Sequence, residues 1–242
     1  MRSACDLSRA LVFLLTLAVA AFVGTVLPAK SVEFKRAADV ALQLTWSAPE
    51  TGRKPVIKAS VQADAGQEMI HSSNTVLARR WAMTRARLEA EAAWLNSCAR
   101  GACRDPRAAT WSNVVALVKS VRPLQRPALV QSLFSSTIEY VNDSAGDDHW
   151  ANPLSTLLLG AGDCEDHVLL KRAVLISAGY READMQLLIL HTASGTGHMA
   201  LQVKAGQTLV LDNRYRYPVS ERTMTGDTLA AIATDRGYYL VR

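Results

Sequence analysis

The chain is poor in several features that would mark it for common functions. Lys and Arg are spread along its length, and no basic run interleaved with aromatics stands out, so the net charge of +5 does not point to nucleic acid. It carries no internal repeat and no low-complexity segment, which excludes solenoid and disordered classes. It has no EF-hand spacing. It has one long apolar stretch, Ala10 to Leu27, preceded by Arg2 and Arg9 and followed by small residues up to Ala29. That is the layout of a secretory signal, or of an uncleaved inner-membrane anchor. Residues 1–30 are therefore set aside, and the remainder is read as exported to the periplasm.

Cysteine is also scarce, with four in 242 residues. Cys5 precedes the apolar run and leaves with a cleaved signal. Cys98 and Cys103 stand close together in "CARGAC" and are expected to pair in an oxidising compartment. Cys164 is left without a partner. A lone thiol in an oxidising compartment needs a use, and its setting, "GDCEDH", surrounds it with carboxylates.

Residues 31–73, with Pro49, Pro55 and scattered Gly, read as an irregular segment with one short strand at "KPVIKASVQ". Helical spacing of Leu77, Trp81, Leu88 and Trp94/Leu95 predicts a helix over 74–96. Further helices are expected over 110–120 and 128–141, with Pro123 and Pro127 as breaks between them. A loop from His149 to Gly162 leads to an apolar helix beginning at Cys164 and stopped by Gly179. "MQLLILH", "HMALQV", "TLVLD" and "GYYLVR" read as strands, the middle two as a hairpin around "KAGQ". Helices followed by consecutive strands predict an α+β fold, with a Cys-bearing helix packed on an antiparallel sheet, and one domain over 74–242.

If Asp163 is the N-cap, Cys164 is the first helical residue, where open amides and the helix dipole favour a thiolate. The plain alternative is a small buried hydrophobe. A nucleophile needs a base, and there are five histidines. His167 shares the helix with Cys164, but nothing evident orients it. His198 opens a strand after a Gly-containing turn. A hairpin centred near Ala205 pairs positions summing to about 410, which sets Asp212 across from His198 and puts Met199, Leu201, Leu209 and Leu211 on one apolar face. Cys164, His198 and Asp212 are thus the expected nucleophile, base and orienting carboxylate. The Cys164 amide is a candidate oxyanion donor. A zinc site on Cys164 and His167 lacks two further ligands at convincing spacing.

The order Cys–His–Asp on a helix start and two adjacent strands is that of the papain-like, transglutaminase-like fold. "HWANPLSTLLLGAGDCEDHVLLKRAVLISAGY", "GHMALQV" and "LVLDNRY" resemble the bacterial transglutaminase-like cysteine proteinases of the LapG type. The resemblance spans about residues 75–220 and is strongest from Trp150 to Tyr215. It implies the same triad, and a calcium site on Asp163 and Glu165 with Asp166 as a further ligand. It implies periplasmic proteolysis of a large surface adhesin under an inner-membrane cyclic-di-GMP receptor, and so a role in biofilm control. The chain departs from the family pattern at Ser155, where an acidic residue is usual, at His167, where an aromatic is usual, and at the first Asn of the preceding helix. By residues alone, Asp163, Glu165 and Asp166 are equally a helix N-terminus rich in acid. Acyl transfer to an amine, or a calcium-dependent binding module without activity, are the alternative functions.

Overall fold

The computed structural model of the chain describes residues 69–144 and 148–241. The signal segment, the strand expected at "KPVIKASVQ" and Cys5 lie outside the described residues. Among the described residues no helix is long and apolar enough to cross a membrane.

Helix α1 (Val76–Ala99) starts at Thr75, whose hydroxyl accepts from the Ala78 amide at 3.0 Å. Trp81, Leu88 and Leu95, on the stripe expected from the sequence, are buried. Helix α2 (Pro106–Lys119) starts earlier than expected, because Asp105 caps it and Pro106 occupies the first turn, where a missing N–H costs nothing. Cys98 and Cys103 are joined, tying the end of α1 to the loop before α2. Helix α3 (Arg126–Thr137) likewise takes Pro127 into its first turn, so Pro127 is not the expected break.

The stretch from His149 to Gly162 is not all loop. It contains a short helix, α4 (Pro153–Leu159), opened by Pro153 and closed by Gly160 at φ 67°. Two short strands, β2 (Glu139–Tyr140) and β3 (Ala161–Gly162), pair in parallel on either side of it. Helix α5 (Cys164–Ser177) follows at once and ends at Gly179, with φ 102°.

Six strands form an antiparallel sheet: β1 (Met69–His71), β4 (Met185–His191), β5 (Gly197–Ala205), β6 (Gln207–Leu211), β7 (Thr228–Thr234) and β8 (Gly237–Val241). Their order is β1-β8-β7-β4-β5-β6. Strand β1 falls in the stretch read as irregular, and β7 had no counterpart in the sequence reading. The helices bury one face of the sheet: Val168, Leu169 and Leu175 of α5 share a core with Leu187, Met199, Leu201, Val203 and Leu211. Leu188, Leu190, Ala200, Val210 and Ile232 form a smaller cluster on the other face.

Candidate active site

Cys164 is the first residue of α5, as expected, and α5 packs on β5. Asp163 occupies the N-cap position, but its side chain makes no capping hydrogen bond, contrary to the expected role. On β5 the backbone amide of Met199, the neighbour of His198, acts on the Cys164 thiol. The thiol donates to Oε2 of Glu165 at 3.0 Å. Burial pushes the thiol up first, and the charge and hydrogen bond of Glu165 push it further. The Met199 amide works the other way.

The β5–β6 hairpin turns at Gly206, with φ 75°, not at Ala205. Leu201 therefore faces Leu211 and Val203 faces Leu209, a register two residues away from the expected one. Asp212 does not lie directly across from His198. It follows the last residue of β6 and reaches His198 on the diagonal, with Nε2···Oδ1 at 3.1 Å. A shift of two keeps every side chain on its face, so the contact survives the error. Both groups are buried, Asp212 completely. Burial alone would raise the Asp212 carboxyl. Hydrogen bonds from His198 and Arg214 outweigh it and hold the group at about 2.

His167 is on the helix but not in this cluster. It is 2% exposed, neither ring nitrogen has a hydrogen-bond partner among the described residues, and burial pushes it down to about 3. A neutral, buried ring is no partner for a thiolate.

The carboxylates of "GDCED" separate into two sets. One oxygen each from Asp143, Asp163 and Glu165 lie within 4.8 Å of one another. Asp166 is not in that group. Its Oδ1 accepts from the Ala151 amide at 2.8 Å, and burial raises its carboxyl to about 6. Gly162 permits this packing, since a Cβ there would lie 2.7 Å from Cβ of Asp166. Gly162→Ala is expected to destabilise the fold by about 1–3 kcal/mol through overpacking, read as a shift in urea midpoint. An unchanged midpoint would show that the α5 start can give way.

Asp143 was missed in the sequence, where it looked like part of the acidic end of a helix. Pairing of Tyr140 with Gly162 brings it to Asp163 from twenty residues away. Burial raises Glu165 to about 8, and the Asp163 charge adds to this; Asp163 is itself raised by burial, with Asp143 and Asp148 contributing. Oδ1 of Asp163 is buried and has no partner among the described residues. Crowded carboxylates, one with an orphaned oxygen, suit a hard divalent cation, and the all-oxygen donor set fits calcium rather than zinc.

A thiol at a helix start beside a strand that carries a histidine, itself bonded to a buried carboxylate, is the arrangement of a cysteine hydrolase on an α+β scaffold. The family described as bacterial transglutaminase-like cysteine proteinase matches residues 83–226, and the chain belongs to it. It is a cysteine proteinase with a transglutaminase-like fold. Among solved structures, calcium-bound LapG of Legionella pneumophila is similar at a TM-score of 0.50 and 20% identity, over 62% of this chain and 87% of that one. EGTA-treated LapG of the same organism gives 0.50 and 19%, over 64% and 86%. No curated protein matches the sequence.

Proposed function

We propose that Cys164, His198 and Asp212 form the catalytic triad of an exported peptidase whose domain runs from about residue 74 to the C-terminus. The observation that carries this reading is the buried His198–Asp212 contact at the start of β5, the strand on which the Cys164-bearing helix packs. With Nε2 bonded to Asp212, Nδ1 is the ring nitrogen left for the thiol. The sulfur attacks the peptide carbonyl carbon, and His198 delivers the proton to the leaving amine. Water, deprotonated by the same ring, then releases the acyl group. The amide of Cys164 is the donor nearest in sequence for the oxyanion.

Asp143, Asp163 and Glu165 would hold a calcium ion. When bound, the ion supplies positive charge that offsets the carboxylates beside the thiol. The residues' own part is to remain ionised and close together. The calcium-bound relative supports this assignment. A hundredfold excess of calcium over its Kd is expected to add about 2.7 kcal/mol of stability. For a chain of this size that is a rise in Tm of about 5–10 °C. Glu165→Gln should abolish most of the rise. An unchanged Tm on switching between calcium and EGTA would remove the cation from the account.

The substrate in this reading is a large surface adhesin. The chain acts in the periplasm, behind an N-terminal signal or anchor, and an inner-membrane cyclic-di-GMP receptor is its regulator. Purified chain added to surface proteins of its own organism in calcium should create new N-termini, detected by mass spectrometry after amine labelling. If an added primary amine is instead joined to the new C-termini, acyl transfer is the activity.

A further inference from the structure

His198 supplies one of the five hydrogen bonds recorded on the Asp212 carboxylate; Arg214 supplies the rest. Oδ1 accepts from the Arg214 backbone amide at 2.9 Å and from its Nε at 3.2 Å. Oδ2 accepts from Nε at 3.0 Å and from Nη2 at 2.7 Å. The guanidinium also reaches outward. Its Nη1 and Nη2 donate to Oδ1 and Oδ2 of Asp227 at 3.3 and 2.6 Å. Asp227 immediately precedes β7, whereas Asp212 immediately follows β6, and β4 and β5 lie between those strands. One side chain thus ties the carboxylate to a distant part of the sheet.

The other groups around Asp212 are accounted for. Lys171 of α5, fully buried, is the other positive charge acting on it. From α3, the neutral Gln131 donates its Nε2 to the backbone carbonyl of Asp212 at 2.7 Å, not to the carboxylate. A planar fork fixes a carboxylate plane far better than a single ring nitrogen does. It also draws on the same negative charge that would stabilise an imidazolium.

We propose that Arg214 is the positioning residue of the triad carboxylate and that Asp227 is its outer anchor. The guanidinium sets the plane in which Asp212 meets His198 and limits how far Asp212 favours the protonated ring. This rests on the triad reading above.

The test uses the full chain with calcium and two readouts. The first is the titration midpoint of the His198 ring in 15N-histidine spectra, assigned by its loss in His198→Gln. The second is the alkylation rate of Cys164 by iodoacetamide at pH 7, followed by peptide mass. Arg214→Gln removes the charge, so the His198 midpoint should rise by about half a pH unit or more. Arg214→Lys keeps the charge and should leave the midpoint within about 0.2 unit of wild type. Both variants lose the fork and should slow alkylation about fivefold, with Asp227→Asn slowing it about twofold. Circular dichroism shows which variants are folded, and Arg214→Lys carries the test if Arg214→Gln is not. If His198→Gln is slow to alkylate while both Arg214 variants match wild type in rate and midpoint, the role of Arg214 falls alone. If His198→Gln alkylates at the wild-type rate, the triad reading falls with it.

Discussion

Cys164→Ala is expected to lower peptide hydrolysis by about 10⁴-fold or more, because no other group can take the sulfur's place as nucleophile. The effect should fall on the chemical step and leave substrate binding nearly intact, so the variant should still capture its substrate. The fold should tolerate the change. Cys164 is only partly buried at the edge of the core, and the hydrogen bond its thiol donates runs to the adjacent Glu165. Loss of one sulfur atom at a partly buried position shifts stability by about 1 kcal/mol or less. The measurements are product formation with the purified variant and its urea midpoint. Full loss of activity with an unchanged midpoint supports the nucleophile. If the variant retains its effect on the surface protein, the chain acts by binding, and the proteolytic account of its biology fails.

Asp212→Asn should be the next most damaging change. The carboxamide can present N–H to the ring where a carboxylate presented only acceptors, so the histidine tautomer is no longer enforced. In a Ser-His-Asp protease the equivalent change costs about 10⁴-fold in kcat, and a loss of about 10³–10⁴ is expected here. Stability should follow pH in a defined way. The carboxyl sits at about 2 in the fold, against an ordinary value of 3.8. A depressed folded value means the stabilisation is fully present above the unfolded value and fades as pH falls through the folded one. It is worth about 2–3 kcal/mol. The difference in unfolding free energy between wild type and Asp212→Asn should therefore be largest above pH ~4 and shrink between pH ~4 and ~2. A difference that stays constant across that window would mean the ionised carboxylate contributes nothing special to the fold.

Much of this site was legible because strand and helix periods are. "MQLLILH" became β4 residue for residue, and "CEDHVLLKRAVLIS" became α5, ended by its glycine. The His198–Asp212 pair was found through a register that was wrong by two. It survived because facing has a period of two, whereas a one-residue error would have lost it. Other elements gave no signal of that kind. Helix α4 has only seven residues, too few to show helical spacing between its Pro and Gly. In β7, Ala231, Ile232 and Ala233 are all buried, so polar and apolar positions do not alternate, and alanine is a poor strand marker. Asp143 and Arg214 were invisible for a different reason. Asp143 joins the site by a parallel pairing of two-residue strands, and Arg214 stands in what reads as a turn, "DNRY".

The tight turn at Gly206 also bears on how this enzyme can vary between relatives. One residue gained or lost within β6 would invert the facing of everything between the turn and Asp212, sending the carboxylate to the opposite side of the sheet. A loss of two would restore the side but carry the carboxylate a further rung of about 7 Å away from His198, beyond reach of the ring. Single-residue changes and two-residue losses are therefore expected to be absent between Gly206 and Asp212 in active relatives, and length variation to collect in segments such as 192–196, which joins β4 to β5 without setting any distance within the triad.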